Sequence, residues 1–88
     1  MIQRDMKVIN SLGIHARPAA LLVRTVSDFE SNVSFEKDGL KVNGRSILGV
    51  MMLAAPQGSF ISVEIDGSDE EKCAEAIEDV FLRGFDEE

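Results

Sequence analysis

The stretch Val33-Ser34-Phe35-Glu36-Lys37-Asp38-Gly39-Leu40-Lys41-Val42 decides the architecture. Val33 and Phe35 alternate with Ser34 and Glu36, the two-residue period of a strand with one buried face. Asp38-Gly39 is a dipeptide that tight hairpin turns favour, and Leu40 and Val42 resume the alternation after it. Strands joined by so short a turn run antiparallel. An antiparallel sheet commonly leaves one face to water, so the helices of this chain are expected on the other face only.

Working outward, Ile2, Met6 and Val8 alternate with Gln3, Asp5 and Lys7, which predicts a half-buried strand. Asn10 to Gly13 read as a polar turn. Ala19, Leu22, Val23, Val26 and Phe29 then recur at helical spacing, predicting a helix from about Ala16 to Phe29. Pro18 is tolerated there because first-turn N–H groups have no intrahelical acceptor. Beyond the hairpin, Ser46 is a good N-cap for a short helix through about Leu53. Pro56-Gln57-Gly58-Ser59 marks a turn before a strand from Phe60 to Ile65, with Ile61, Val63 and Ile65 on one face. Ser68 or Asp69 caps a final helix whose stripe is Cys73, Ala74, Ile77, Val80 and Phe81, ending near Gly84. The order is β-α-β-β-α-β-α, an α+β fold with a four-stranded antiparallel sheet. Without repeats, linkers or low-complexity tracts, residues 1–88 read as a single domain.

Composition removes several classes of function. The net charge of −7 argues against nucleic acid as a partner. No apolar run approaches the roughly 20 residues that cross a membrane, and no segment resembles a signal peptide. One cysteine builds no disulfide framework, which fits a cytoplasmic setting. One cysteine and one histidine cannot supply a structural zinc site, so no metal is expected. Cys73 reads as a core residue and not as a redox centre. The acidic clusters Asp69-Glu70-Glu71 and Asp86-Glu87-Glu88 read as solvated surface.

The only histidine, His15, lies in Gly13-Ile14-His15-Ala16-Arg17-Pro18-Ala19-Ala20, at the start of the first helix. A helix N-terminus offers unpaired N–H groups and positive potential to an anion. Arg17 adds a forked donor suited to phosphate oxygens. An imidazole nitrogen is a nucleophile that can itself carry a phosphoryl group. Nucleophile, anion cradle and guanidinium thus fall within three residues, the grouping of a phosphohistidine site. The backbone N–H groups of Ala16 and Arg17 are the expected cradle. Arg24, seven residues after Arg17, shares its helical face and can steer acidic partners.

Gly13-Ile14-His15-Ala16-Arg17-Pro18-Ala19 and Asn43-Gly44-Arg45-Ser46-Ile47-Leu48-Gly49-Val50-Met51, at this separation and in a chain of this length, resemble the HPr family. These are the histidine-containing phosphocarriers of the bacterial phosphoenolpyruvate-dependent phosphotransferase system. The resemblance covers essentially the whole chain. It implies an open-faced β-sandwich with three helices over one side of the sheet. It also implies that His15 Nδ1 accepts phosphate from enzyme I and passes it to an enzyme IIA domain, with Arg17 helping to neutralise charge. Such a protein is a phosphorylated intermediate and not a free-standing enzyme. It is expected to be monomeric and to need no cofactor; magnesium would belong to enzyme I or to a serine kinase.

Ser46 has two roles on this reading. As an N-cap it contributes about 1 kcal/mol. In some family members a serine at this place is phosphorylated by an ATP-dependent kinase, which brings HPr kinase/phosphorylase and a transcriptional regulator in as candidate partners. The helix after it is too apolar to bury every side chain. Val50 and Leu53 are expected in the core, whereas Ile47, Leu48 and Met51 or Met52 are expected to be exposed for docking. The partner-binding face is therefore placed around His15, Arg17, Arg24, Ile47, Leu48 and Met51.

Sugar-transport members often carry basic residues where this chain has Ser27 or Gly49. Met51-Met52-Leu53-Ala54-Ala55 and the ending Gly84-Phe85-Asp86-Glu87-Glu88 look similar to the nitrogen-related branch, NPr. The alternative to a sugar relay is thus a regulatory binding module of the NPr type, controlling partners through its phosphorylation state. A structural interaction domain is a third reading, but it leaves Arg17 without a task beside His15.

Overall fold

The computed structural model describes residues 1–87; Glu88, which the sequence reading placed on a solvated acidic surface, lies outside the described residues. Among these the order is β1 (Ile2–Lys7), α1 (Ala16–Ser27), β2 (Asn32–Lys37), β3 (Leu40–Asn43), α2 (Ile47–Met52), β4 (Phe60–Asp66) and α3 (Glu70–Leu82). A single 3₁₀ turn, Gly84–Asp86, follows. The hairpin forms as the alternation predicts, with Lys37 opposite Leu40 and Phe35 opposite Val42. Its turn places both Asp38 (φ 52°) and Gly39 (φ 83°) in the left-handed region, the requirement of the mirror-image turns that suit twisted hairpins.

The sheet order is β1-β4-β2-β3, and every pairing is antiparallel. β4 is the hydrophobic spine. Its Ile61, Val63 and Ile65 all point inward, facing Met6 on β1 and Phe35 and Val33 on β2. The helices supply Ala19, Leu22 and Val26 from α1, Val50 from α2, and Cys73, Ala74, Ile77, Val80 and Phe81 from α3. Arg4 shares the covered face of β1 but lies at its rim, where it reaches Glu78 of α3 at 3.5 Å. Cys73 is buried, and that burial, with Asp69 nearby, pushes its thiol up to about 11.

Several local expectations are corrected. α1 ends at Ser27 and not at Phe29, because the Asp28 and Phe29 N–H groups bond three residues back, to Thr25 and Val26. α2 likewise ends at Met52, with Leu53 bonding back to Val50. Asn10, read as part of a polar turn, is buried. Asp69 occupies the N-cap position of α3 without making a side-chain cap bond. Its carboxylate instead accepts from the N–H groups of Glu30 and Ser31 and from the Ser31 hydroxyl. Glu70 is not merely solvated either, since it pairs with the N-terminal ammonium at 2.9 Å.

Candidate functional site

The approach to His15 is built by Gly13. With φ at 70° its backbone takes a turn that side chains disfavour, and a Cβ there would lie 2.4 Å from the Ala55 carbonyl oxygen. Ile14 N–H donates to that same oxygen at 2.9 Å, which ties the turn to the loop after α2. His15 follows as the N-cap of α1 in extended backbone (φ −94°, ψ −166°), and its side chain makes no cap bond.

The usual orphan donors of the helix start can be counted. Pro18 has no N–H, and Ala19 N–H already donates to His15 O at 3.0 Å. Ala16 and Arg17 remain, two amides with no intrahelical acceptor at the positive end of the helix dipole. Ala16 and Arg17 are both exposed. Among the described residues the Arg17 guanidinium has no ion-pair partner, and it lines a shallow hollow with Ser11, Leu12, Asp86 and Glu87.

Glu87 is the residue that sequence reasoning missed. The acidic run to which it belongs was read as solvated, yet both carboxylate oxygens lie on His15 Nε2, at 3.0 and 2.9 Å. The side chain is only 13 % exposed. Asn10 Nδ2 holds it from below, donating to Glu87 Oε1 at 2.9 Å and to Gly13 O at 2.8 Å. The bond to His15, helped by Asn10 and by the charge of Arg17, keeps the Glu87 carboxyl below the usual carboxylate range. Since a carboxylate can only accept, Nε2 carries the hydrogen, and the lone pair of the neutral ring is at Nδ1.

A ring nitrogen with a defined lone pair, beside two amides without intrahelical acceptors and an exposed guanidinium, is a grouping chemically suited to binding a phosphoryl group. Among the described residues no cluster of three or more His, Cys, Asp or Glu is placed to hold a metal ion. Nor, among the described residues, is any helix long and apolar enough to cross a membrane.

Residues 2–82 match the family described as PTS-HPr, the PTS HPr component phosphorylation site. The chain belongs to the HPr family. It is 46% identical over 88 residues to the phosphocarrier protein HPr of Xylella fastidiosa (strain Temecula1), covering all of this chain and 99% of that one. It is 42% identical to phosphocarrier protein HPr of Treponema pallidum, with full coverage of both. Among solved structures it is similar to HPr-C-His from Thermoanaerobacter tengcongensis, with a TM-score of 0.94, 42% identity and coverage of 100% and 99%. As an HPr-family protein it is a phosphocarrier of the phosphotransferase system, a phosphoryl carrier rather than a catalytic enzyme.

The second motif of the HPr family lies at α2. Ser46 is the N-cap, and its Oγ accepts from Gly49 N–H at 3.0 Å. Val50 and Leu53 are buried, whereas Ile47, Leu48, Met51 and Met52 are all exposed, Leu48 by 70%. Arg24 is exposed on α1, which packs against α2. Arg45, to which the sequence reading gave no task, donates to the carbonyls of Phe29 (2.5 Å) and Ser31 (3.0 Å) and so braces the end of α1. No periodicity could have signalled that, because its partners are backbone atoms of a distant turn.

Proposed function

We propose that this protein takes a phosphoryl group from enzyme I onto Nδ1 of His15 and delivers it to an enzyme IIA domain in the cytoplasm. What supports this is one arrangement: Nε2 of His15 is engaged by Glu87 while Nδ1 remains available beside the amides of Ala16 and Arg17. Ala16 and Arg17 N–H donate to the phosphoryl oxygens, and the Arg17 guanidinium swings in to neutralise charge as it builds. The cradle is shallow and open, so the group is held without being trapped, as a carrier requires.

Docking falls to the apolar face of α2. Ile47, Leu48 and Met51 supply an exposed, adaptable contact, with Arg24 on α1 steering acidic partners. Ser46 is the regulatory site. Its Oγ serves α2 only as an acceptor, so a phosphate ester can replace its hydrogen without removing the cap bond. The ester adds roughly two negative charges beside the apolar contact, which weakens docking to an acidic partner and offers a new feature to an HPr kinase/phosphorylase or a transcriptional regulator.

The test is intact-protein mass spectrometry after incubation with phosphoenolpyruvate, magnesium and enzyme I, for wild type and His15→Ala side by side. One acid-labile phosphoryl group, absent from the variant, is expected. Its absence with the host's own active enzyme I rejects the proposal.

A further inference from the structure

Two features that natural chains normally avoid converge on the place of the Glu87 carboxylate. The first is the left-handed turn before it. Gly84, Phe85 and Asp86 have φ of 63°, 58° and 59°, a run that two non-glycine residues rarely adopt. The turn is pinned on both sides: Phe85 is buried edge-to-face on Phe81, centroids 4.9 Å apart, and Arg83 Nε donates to Asp86 at 2.9 Å. Glu87 N–H closes it on Gly84 O at 3.0 Å. The second is Asn10. Both acceptors around its Nδ2 fix the amide's orientation, leaving Oδ1 buried with no hydrogen-bond partner among the described residues. Reversing the amide would set its oxygen against Gly13 O and the Glu87 carboxylate. A buried orphan acceptor asks for a reason, and the one visible here is that Asn10 must present its donor to Glu87.

We propose that Glu87 is a positioning residue for phosphoryl transfer, gripping the His15 ring at Nε2–H so that Nδ1 presents the attacking lone pair, with Asn10 setting the grip. This rests on the phosphocarrier reading and deepens it. In the step, the Nδ1 lone pair forms the N–P bond while the donor's bond to phosphorus breaks, its electron pair staying with the donor. Nε2 keeps its proton throughout. The phosphorylated ring is therefore cationic, and its charge lies against the Glu87 carboxylate. Onward transfer reverses the bookkeeping: the N–P pair returns to Nδ1, and the ring is again neutral and again oriented. A carboxylate that holds one ring nitrogen while the other works is a general device for fixing tautomer and direction.

The experiment uses the full chain with its histidine ring labelled with ¹⁵N, as wild type and as Glu87→Ala, in mildly alkaline solution. Wild type is expected to show a pyrrole-type signal for Nε2 and a pyridine-type signal for Nδ1. In Glu87→Ala the two signals should move toward each other as the second tautomer becomes populated. The amide spectrum away from the site should stay unchanged. The rate of phosphoryl uptake from phosphoenolpyruvate through enzyme I should fall about tenfold. Ring signals that do not move, or that move with no loss of rate, overturn the proposal. A wild type that takes up no phosphoryl group from active enzyme I overturns the phosphocarrier reading, and with it any use of the grip in transfer. The ring signals then still decide whether the grip exists.

Discussion

Asp69 and Ser31 are joined twice: the carboxylate of one accepts from both the amide (3.0 Å) and the hydroxyl (2.5 Å) of the other. Ser31 is wholly buried, in the turn that returns the chain from α1 to β2. Arg45 grips the same turn by its carbonyls, at Phe29 and Ser31. Carboxylate takes the N–H groups and guanidinium takes the C=O groups, so an irregular turn that buries Ser31 is left with its backbone bonded. α1 is thereby anchored at the end opposite His15.

Asp69→Ala should consequently lower the Tm at neutral pH by about 5 °C or more, because the amide and hydroxyl of buried Ser31 lose their acceptor. The Ser31 hydroxyl first, and the Glu30 amide next, hold the Asp69 carboxyl below its ordinary value. A carboxyl lowered in the folded state contributes stability that is complete above the unfolded pKa of about 4 and is lost as pH falls through the folded value. The gap in Tm between wild type and variant should accordingly shrink on acidification below about pH 4. Thermal melts across that range check both the size and the sign.

Gly13→Ala tests the turn that delivers His15. A methyl group would need to occupy space 2.4 Å from Ala55 O at a φ of 70°. Loss of roughly 2–4 kcal/mol is expected in urea denaturation, the sum of a strained backbone and an overpacked contact. Phosphoryl uptake should fall as well, since Gly13 O is the acceptor for both His15 N–H and Asn10 Nδ2. A variant as stable as wild type would contradict this account of the turn.

What was legible in the sequence was whatever repeats. The alternation of Val33 with Phe35, and of Ile61 with Val63 and Ile65, announced the strands and their buried faces. The spacing of Leu22 and Val26 announced α1. Around the site, His15, Arg17 and Ser46 stood out because a reactive or capping residue type coincided with a helix start. Glu87 did not, because nothing in an acidic triplet distinguishes the carboxylate that folds back from those that stay in water. Its place depends on the left-handed turn at Phe85 and Asp86; an aspartate takes that conformation now and then as a single residue, but no propensity assigns it to a phenylalanine or to such a run. Asp69 misled for a related reason. It is a good N-cap residue at an N-cap position, but the tertiary structure offers it the amide of Glu30 and the amide and hydroxyl of buried Ser31.

Ser46 separates stability from docking. Ser46→Ala should cost about 1 kcal/mol, the worth of the cap bond to Gly49 N–H. Ser46→Asp keeps an acceptor that caps equally well and adds charge favoured by the helix start, so its stability should stay within about 0.5 kcal/mol of wild type. Only the aspartate variant should weaken binding to enzyme I, as the phosphoserine would. Urea denaturation and calorimetric titration measure the two effects independently, and equal binding by both variants would remove the charge argument.

The same helix presents its own control. Leu48 is 70% exposed, so Leu48→Glu removes little buried contact and should change stability by less than about 0.5 kcal/mol. If the apolar face of α2 is the docking contact, that substitution sets a charge at its most exposed residue and should weaken binding to enzyme I by roughly tenfold, about 1.4 kcal/mol. Val50, two residues on in the same helix and so turned to its inner face, is fully buried and should behave in the opposite way. Val50→Ala should cost roughly 2 kcal/mol of stability through lost burial and a small cavity, while leaving affinity close to wild type. Titration calorimetry on the two variants decides the matter: unchanged affinity in Leu48→Glu would move the docking surface away from α2, whatever the fate of His15.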